Sequence, residues 1–339
     1  MATTHKIFFK NSINMSFVDD ESIDLVVTSP PYPMIEMWDD IFTGICDFPK
    51  NIFSNSPEIA YEKIHTFLDD VWLEVFRVLK PNGFVCINIG DATRTINEKF
   101  QIYMNHARII QAFSKLGFSV LPSVIWRKQT NAPNKFMGSG MLPAGAYVTL
   151  EHEHILIFRK GSKRVFKSKL DKALRQESAF FWEERNNWFS DLWDFKGTSQ
   201  KLKNSTSRIT SAAYPFELPY RLINMYSAKG DIVLDPFLGT GTTTLAAIAC
   251  ERNSIGIEID DLFREEIYHG ITDSQEVLNS RISQRIADHI NFVNNSDGEF
   301  KYHNENHNFQ VKTKQEKNLK ISAIADIVHH EEVFHVDYV

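Results

Sequence analysis

Cysteine is scarce in this chain of 339 residues, which contains Cys46, Cys86 and Cys250 and no others. The three lie far apart in sequence, which excludes a structural zinc site built on cysteines and is typical of free thiols in a reducing cytoplasm. Long apolar runs are also missing, since none reaches the roughly 18 residues of a membrane span. The first residues lack the basic and apolar regions of a secretion signal. These absences predict a cytoplasmic protein with no membrane contact.

An overall excess of positive charge is absent as well. The chain has 37 Lys and Arg against 43 Asp and Glu, which gives a net charge of −6. Taken over the whole molecule, that balance argues against nucleic acid as a partner. The local balance is different, because residues 159–208 contain 13 basic and 6 acidic residues. An acidic scaffold therefore carries a basic insert, and the overall sum says little about partners.

What the chain does contain is an alternation of strand and helix patterns. The hydrophobic periodicity predicts strands at residues 22–28, 84–89, 120–126, 154–158, 232–234 and 254–259. It predicts helices at residues 61–79, 103–116, 215–226, 243–250 and 264–293. Residues 131–145 and 294–320 are predicted as loops, whereas 321–339 are more apolar and are predicted to pack on the domain. The alternation predicts an α/β fold with a largely parallel sheet.

The first chemical motif follows the strand at 232–234. Asp235 ends that strand, and Gly239 and Gly241 precede a helix. Glycines let a ligand approach the backbone, and the start of a helix offers free N–H groups. Glu258 ends the next strand 23 residues later, a separation that suits recognition of ribose hydroxyls. Thr244 stands where a dinucleotide motif has its third glycine. Taken alone, the motif is either a nucleotide site or a structural turn.

The second motif is Ser29-Pro30-Pro31-Tyr32, which ends the strand at 22–28. Two prolines fix the backbone, and a serine hydroxyl can both donate and accept hydrogen bonds. Tyr32 offers a flat ring on which a base can stack. Such a group can hold a planar heterocycle by its exocyclic amine, although the same four residues often form an ordinary turn.

Together, the two motifs resemble those of DNA amino-methyltransferases that use S-adenosyl-L-methionine (AdoMet). The catalytic motif precedes the AdoMet motif by about 200 residues, which is similar to the β group of these enzymes. The resemblance covers residues 8–265 and implies a Rossmann-like sheet with helices on both faces and an inserted target recognition region. It implies four segments: a catalytic half (1–158), the target recognition region (159–210), an AdoMet-binding half (211–272) and a C-terminal appendage (273–339).

The resemblance also implies roles for individual residues. Glu258 would hold the ribose of AdoMet, and Asn11 would approach its adenine, although the family often has Gly-Asp where this chain has Asn11-Ser12. The remaining cofactor residues would be Asp235, Phe237, Gly239, Gly241 and Thr242, together with Phe216 in a helix over the methionine end. Ser29 and the Pro30 carbonyl would accept hydrogen bonds from the target amine, with Pro31 shaping the turn and Tyr32 stacking on the base.

In this family a serine before Pro-Pro-Tyr usually accompanies N4-cytosine methylation, and Asp or Asn accompanies N6-adenine. Ser29 therefore favours cytosine in double-stranded DNA, with the base flipped out of the duplex. A cognate restriction endonuclease would be a functional partner without required contact. Three alternatives stay open: an N6-adenine enzyme, a methyltransferase for RNA or protein amines, and a DNA-binding module with a vestigial AdoMet site. C5-cytosine chemistry is disfavoured, because no cysteine lies in a Pro-Cys loop.

Other segments are interpreted more simply. The basic charges of residues 159–208 are predicted to contact DNA phosphates. Residues 126–128 are predicted to border the target base. Tryptophans 182, 188 and 193 are predicted to fill a small core. The histidines at positions 303, 307, 329, 330 and 335 are predicted to be polar surface residues, and no metal is expected. No oligomeric state is predicted.

Overall fold

One mixed sheet, formed by ten of the sixteen described strands, organises the protein. We analysed a computed structural model, which describes residues 2–49, 51–128, 137–138, 142–197 and 214–339. Its strands are β1 (Ala2–Phe9), β2 (Ile23–Thr28), β3 (Leu79–Ile89), β4 (Ala92–Ile96), β5 (Lys99–Tyr103), β6 (Phe118–Arg127), β7 (Met137–Gly138), β8 (Ala146–Tyr147), β9 (His152–Lys160), β10 (Leu192–Asp194), β11 (Ile232–Asp235), β12 (Asn253–Glu258), β13 (Tyr302–His303), β14 (Gln310–Val311), β15 (Ile324–His330) and β16 (Val333–Tyr338).

The helices pack around this sheet. They are α1 (Asp39–Ile45), α2 (Ile52–Asn55), α3 (Pro57–Val78), α4 (Asn105–Lys115), α5 (Lys169–Glu177), α6 (Trp182–Trp188), α7 (Glu217–Tyr226), α8 (Thr242–Ala249), α9 (Arg264–Thr272) and α10 (Gln275–Asn295). Within the described residues, no helix is long and apolar enough to cross a membrane. Most of the predicted loop 131–145 lies outside the described residues.

The strand order is β10-β6-β9-β3-β2-β11-β12-β1-β16-β15. The five central strands, from β3 to β1, are parallel, which confirms the predicted α/β fold. β9 is an exception, because it runs antiparallel to both β3 and β6. Its first residues therefore lie at the edge where the parallel strands end.

Both faces of the sheet are covered, as predicted. Along β2, Leu25 and Val27 point into a core shared with α7 to α10, whereas Val26 points into a core shared with α3 and α4. All three are fully buried. Burial of such a side chain stabilises the fold by about 1.5–3 kcal/mol, so the alternation along this strand anchors both layers.

The predicted C-terminal appendage contributes to the main sheet. β15 and β16 form a hairpin, and β16 pairs antiparallel with β1. The predicted helix at 264–293 is two helices, because Asp273 and Ser274 end α9 before α10 begins. β1 itself was missed, since its inward side chains include polar Thr3 and His5, which are buried and hydrogen-bonded to each other at 2.8 Å.

Candidate active site

A cavity of about 600 Å³ opens at the edge where the parallel strands end. β2, β11 and β12 finish there with Thr28, Asp235 and Glu258. Nine of the twelve predicted site residues line the cavity: Asn11, Ser29, Pro30, Pro31, Tyr32, Phe237, Gly239, Thr242 and Glu258. The fold therefore brings both sequence motifs into one space, although about 200 residues separate them.

Glu258 lies in the cofactor half of the cavity. Its Oε2 accepts a hydrogen bond from the Gly239 amide at 2.8 Å, and its Oε1 accepts one from the Asp260 amide at 3.0 Å. Burial raises the pKa of this carboxyl, and those amides oppose the rise. Each carboxylate oxygen has a second lone pair, so Glu258 can still accept hydrogen bonds from two ligand hydroxyls.

Asp235 lies beneath the cavity and does not line it. Its carboxylate accepts hydrogen bonds from Thr28 Oγ1 at 2.6 Å, from Tyr214 OH at 3.1 Å and from the Phe237 amide at 3.0 Å. Thr243 is a fourth donor. Burial raises the pKa of Asp235, while these four hydrogen bonds lower it. Asp235 thus joins β2, β11 and the turn after β11 into one rigid floor.

The turn between β11 and α8 follows the predicted glycine chemistry. Gly239 and Gly241 have φ angles of +56° and +86°, in the left-handed region that favours glycine. A Cβ on Gly239 would meet no atom within 4 Å, so the backbone there faces open space. Gly241 caps the start of α8 without lining the cavity.

Phe216 lies elsewhere. It stacks on Tyr220 with ring centroids 5.3 Å apart, and the Arg281 guanidinium lies 4.5 Å above its ring. All three residues line a second cavity beside α7 and α10. The structure therefore does not bring Phe216 to the other predicted cofactor residues.

The polar wall of the catalytic half includes three residues that sequence reasoning did not assign to catalysis. Asn88, Lys128 and Glu153 line the cavity next to Tyr32. Asn88 had a detectable signal, because it is a lone amide in an apolar strand. Lys128 belongs to the segment predicted to border the base. Glu153 had no such signal, since only the antiparallel direction of β9 brings it to this edge.

An apolar wall faces these polar groups. It is formed by α1 and the turn before it, a segment for which the hydrophobic pattern predicts no element. The apolar side chains there that line the cavity are Ile35, Met37, Trp38, Ile41, Phe42 and Ile45, and Asp40 lines it beside them. A polar wall opposite an apolar one is typical of sites for flat, partly polar ligands.

Within the described residues, one group of side chains is placed as metal ligands are. Asp91, His106 and His154 have ligand atoms within 4.8 Å of one another. The two imidazole rings stack at 4.0 Å, and Asp91 lies 2.7 Å from His106 Nδ1. The C-terminal histidines are not in this group.

The basic stretch 159–208 divides between two edges of the sheet. Arg164 pairs with Asp231 at 2.5 Å, at the edge where the parallel strands begin, far along β11 from the cavity. That charge is paired with a carboxylate, and the prediction that the basic charges of residues 159–208 contact DNA stays a prediction. β10, in contrast, runs parallel to β6 and ends at the cavity edge.

The predicted small core of tryptophans is confirmed for two residues. Trp188 and Trp193 are 6% and 1% exposed, whereas Trp182 is 40% exposed. Residues 198–213, with Lys201, Lys203 and Arg208, lie outside the described residues.

The cavity fits AdoMet. The open backbone at Gly239 and the acceptors on Glu258 suit a nucleoside. The fold and the cavity together define an AdoMet-dependent methyltransferase.

Comparison with known proteins identifies the family. A DNA methylase family model, of the N6/N4 methyltransferase type, matches residues 23–269. The type II methyltransferase M.MthZI of Methanothermobacter thermautotrophicus is 53% identical over 95% of this chain and 91% of its own length. M.MjaI of Methanocaldococcus jannaschii is 50% identical over 77% of this chain and 88% of its own. The chain therefore belongs to the N6/N4 DNA methylase family.

Solved structures agree on the fold. TTHA0409 of Thermus thermophilus, complexed with S-adenosyl-L-methionine, superposes with a TM-score of 0.61 at 30% identity, over 81% of this chain and 95% of that one. The cytosine-N4-specific PvuII DNA methyltransferase gives a TM-score of 0.54 at 20% identity, over 78% and 86%, which is a likeness of fold alone. The protein is thus a DNA methyltransferase with AdoMet as its methyl donor.

Proposed function

We propose that this enzyme methylates the exocyclic N4 amine of cytosine in duplex DNA. The observation that carries the proposal is Ser29, which lines the cavity directly after β2. By resemblance, N6-adenine enzymes of the family usually have Asp or Asn at this position. A base paired inside a duplex cannot reach a cavity in the edge of a sheet. The target cytosine therefore has to be flipped out of the helix to reach Ser29.

The chain's own residues supply acceptors and alignment. An aromatic amine is a poor nucleophile, because its lone pair is delocalised into the ring. Ser29 Oγ and the Pro30 carbonyl accept hydrogen bonds from its two N–H groups, which favours a pyramidal nitrogen with a free lone pair. When bound, AdoMet supplies an electrophilic methyl group.

Alignment of the two substrates is the second contribution. Tyr32 stacks on the flipped base, while the glycine turn, Glu258 and Asn11 hold the methyl donor. Asp235 keeps the floor between the two halves rigid through its four hydrogen bonds. Holding two reactants in line is worth roughly 7–11 kcal/mol of the barrier.

Two connections of the chain are suited to hold the DNA around the cavity. One follows β6, and the other follows β10, and both strands end at the cavity edge. Residues 129–150 contain one basic residue and residues 195–213 contain four, and neither segment contains an acidic residue. Lysine and arginine in these positions would bind phosphates flanking the flipped base. We propose that residues 159–210 form the target recognition region and that the segment after β6, to residue 145, borders the target base.

We also infer the biological setting. The chain matches two type II methyltransferases over most of their length. As the modification half of a restriction-modification system, it would protect DNA from a cognate endonuclease that reads the same sequence. Such protection needs no contact between the two enzymes.

The test identifies the methylated nucleoside. Duplex DNA of diverse sequence is incubated with the protein and methyl-labelled AdoMet, then digested to nucleosides and separated by mass. We expect N4-methylcytosine. N6-methyladenine would overturn the base assignment, and label in protein or RNA but not in DNA would overturn DNA as the substrate. Single-molecule sequencing of DNA from cells that express the protein gives the recognition sequence.

A further inference from the structure

A chain of three hydrogen-bonded side chains runs from Ser29 along the polar wall of the cavity. Ser29 Oγ donates to Tyr32 OH at 3.1 Å, and Tyr32 OH donates to Glu153 Oε2 at 2.8 Å. Glu153 is 7% exposed and comes from β9, 121 residues after Tyr32. The Pro-Pro turn thus ends on a nearly buried carboxylate that neither sequence motif contains.

We propose that Glu153 is a positioning residue for methyl transfer: through Tyr32, it orients the Ser29 hydroxyl as an acceptor for the target amine and receives the proton that the amine loses. The inference rests on the proposed role of Ser29. It holds for either target base, because both present an exocyclic amine.

The direction of the hydrogen bonds carries the argument. An ionised carboxylate can only accept hydrogen bonds, so the Tyr32 proton points toward Glu153. The Tyr32 oxygen is then left as an acceptor, and it receives the Ser29 proton. The lone pairs of Ser29 Oγ are therefore free to accept from an amine. With the chain reversed, Ser29 would donate toward the nitrogen and occupy the lone pair that has to attack.

Neighbouring groups hold the carboxylate in this arrangement. Asn88 Nδ2 donates to Glu153 Oε2 at 2.6 Å and to Tyr32 OH at 2.7 Å. Lys128 Nζ forms a salt bridge with the other oxygen, Oε1. Both carboxylate oxygens are thereby matched to donors, and a glutamine would turn its NH2 group against Asn88 or Lys128.

The backbone at Gly90 leaves room for the Tyr32 ring beside Glu153. A Cβ on Gly90 would lie 2.8 Å from Tyr32 Cε2, so only glycine leaves room for the ring where it meets Glu153. Asn88 adds a second sign that the wall is built for a ligand. It is 1% exposed, and its Oδ1 has no hydrogen-bond partner among the described residues.

The proposed step balances. The amine lone pair forms the new N–C bond while the C–S bond of the sulfonium breaks and its electron pair stays on sulfur. The nitrogen then carries a positive charge and gives one proton to Ser29 Oγ. Ser29 passes its own proton to Tyr32, and Tyr32 passes its proton to the Glu153 carboxylate. The products are a neutral methylamino base, a neutral thioether and a protonated Glu153, which later releases its proton to solvent.

The first experiment compares E153Q with E153D. Single-turnover rates are measured with saturating AdoMet and DNA, counting label in DNA whichever base carries it. Loss of a general base typically costs about 10²-fold or more, so we expect E153Q to fall by roughly that factor. AdoMet and DNA affinities, measured by calorimetry and anisotropy, should stay near wild type. E153D keeps the charge on a shorter arm, and we expect an intermediate rate.

The matched control is E151Q. Glu151 precedes β9, lies 3.7 Å from Arg127, is half-exposed and does not line the cavity. E151Q removes one negative charge, as E153Q does, at a position two residues away. We expect its single-turnover rate to be unchanged.

A second variant, Y32F, interrupts the chain while keeping the ring. If Glu153 acts through Tyr32, the double variant Y32F/E153Q should be no slower than the slower single variant. Effects that multiply would show independent roles and overturn the proposal, as would a wild-type rate for E153Q. Because Y32F leaves Glu153 in place, the test survives an E153Q protein that does not fold. N6-methyladenine as product would overturn the base assignment alone and leave this result readable.

Discussion

The buried acids at the ends of β11 and β12 have different hydrogen-bond partners from the buried acids that precede these two strands. At the edge where the parallel strands end, Asp235 and Glu258 accept hydrogen bonds from hydroxyls and backbone amides. At the edge where the strands begin, Asp231 pairs with Arg164, and Glu251 pairs with Lys229 at 2.5 Å. At the first edge, which we call the open edge, Asp235 and Glu258 are held by neutral donors, although Glu153 there is paired with Lys128. At the second, the closed edge, Asp231 and Glu251 are each paired with a cation.

This difference separates function from support within one sheet. Because its donors are neutral amides, Glu258 keeps its spare lone pairs for a ligand in the cavity, whereas a salt bridge would take them up. The neutralised edge has cohesive ion pairs instead, and Glu251 also accepts from Ser322 Oγ at 3.1 Å. That edge therefore ties the C-terminal segment to the sheet and leaves the chemistry to the other edge.

The largest effect should come from S29A at the open edge. The substitution removes an acceptor for the amine and leaves the AdoMet half of the cavity intact. Loss of one such hydrogen-bonding group costs roughly 10²–10³-fold in turnover, and we expect a loss in that range. AdoMet affinity by calorimetry and the melting temperature should not change. An unaffected rate would remove Ser29 from the mechanism.

The next effect should come from K229M at the closed edge. Lys229 and Glu251 are 4% and 5% exposed, and burial lowers the pKa of Lys229. Removing one partner of a buried pair costs about 3–5 kcal/mol, so the free energy of unfolding should fall by that amount in urea. K317M, which breaks an exposed pair with Glu305, should cost less than about 1 kcal/mol. A K229M protein that keeps its stability but binds AdoMet weakly would erase the distinction between the edges.

A smaller effect concerns pH and the interior between the edges. Burial lowers the pKa of His5 and of His65 to about 3, and His335 adds to the shift at His5. The unfolded chain therefore binds protons that the folded chain does not, and stability falls as the pH drops below about 6.5 toward 3. Each residue contributes a slope of up to about 1.4 kcal/mol per pH unit.

Urea unfolding between pH 7 and pH 5 checks this slope before most carboxylates titrate. H5N and H65N should each flatten it. H269N changes a histidine whose side chain is 75% exposed and should leave the slope as in wild type. A wild-type slope in H5N would contradict the burial argument.

The smallest effect should appear in DNA binding. Lys196 follows β10 at the open edge. Lys172, in α5, lines a different cavity together with Arg164. Each phosphate contact contributes about 0.9 to the slope of log affinity against log salt. We expect K196Q to reduce that slope by about 0.9 and K172Q to leave it unchanged, as measured by fluorescence anisotropy. The reverse result would move DNA to the closed edge.

The two motifs at the open edge could be predicted from the sequence because each consists of residues close together in the chain. Ser29-Pro30-Pro31-Tyr32 and the turn from Asp235 to Gly241 each follow a buried strand, and parallel strands end at a shared edge. Strand identity therefore sufficed to bring the motifs together. Of the twelve predicted residues, Phe216 lines a different cavity, and Asp235 and Gly241 lie next to this one without lining it.

What the sequence could not predict depends on direction and pairing. Glu153 reaches Tyr32 because β9 runs against its neighbours, and hydropathy carries no sign of direction. β1 was not predicted because Thr3 and His5 are polar yet buried, with their hydrogen bonds made inside the sheet. The ion pair of Arg164 could not be predicted, because its partner, Asp231, is 67 residues away in sequence.

The antiparallel pairing of β6 and β9 has a consequence for engineering this enzyme. The connection between them leaves and re-enters the sheet at the same edge, and the salt bridge between Lys128 and Glu153 joins its two ends. Residues 129–150 between these ends can thus be exchanged as one unit, which tests whether they contribute to target recognition. An exchange that keeps Lys128 and Glu153 tests recognition alone, whereas one that replaces either residue also changes the hydrogen-bonded group around Tyr32.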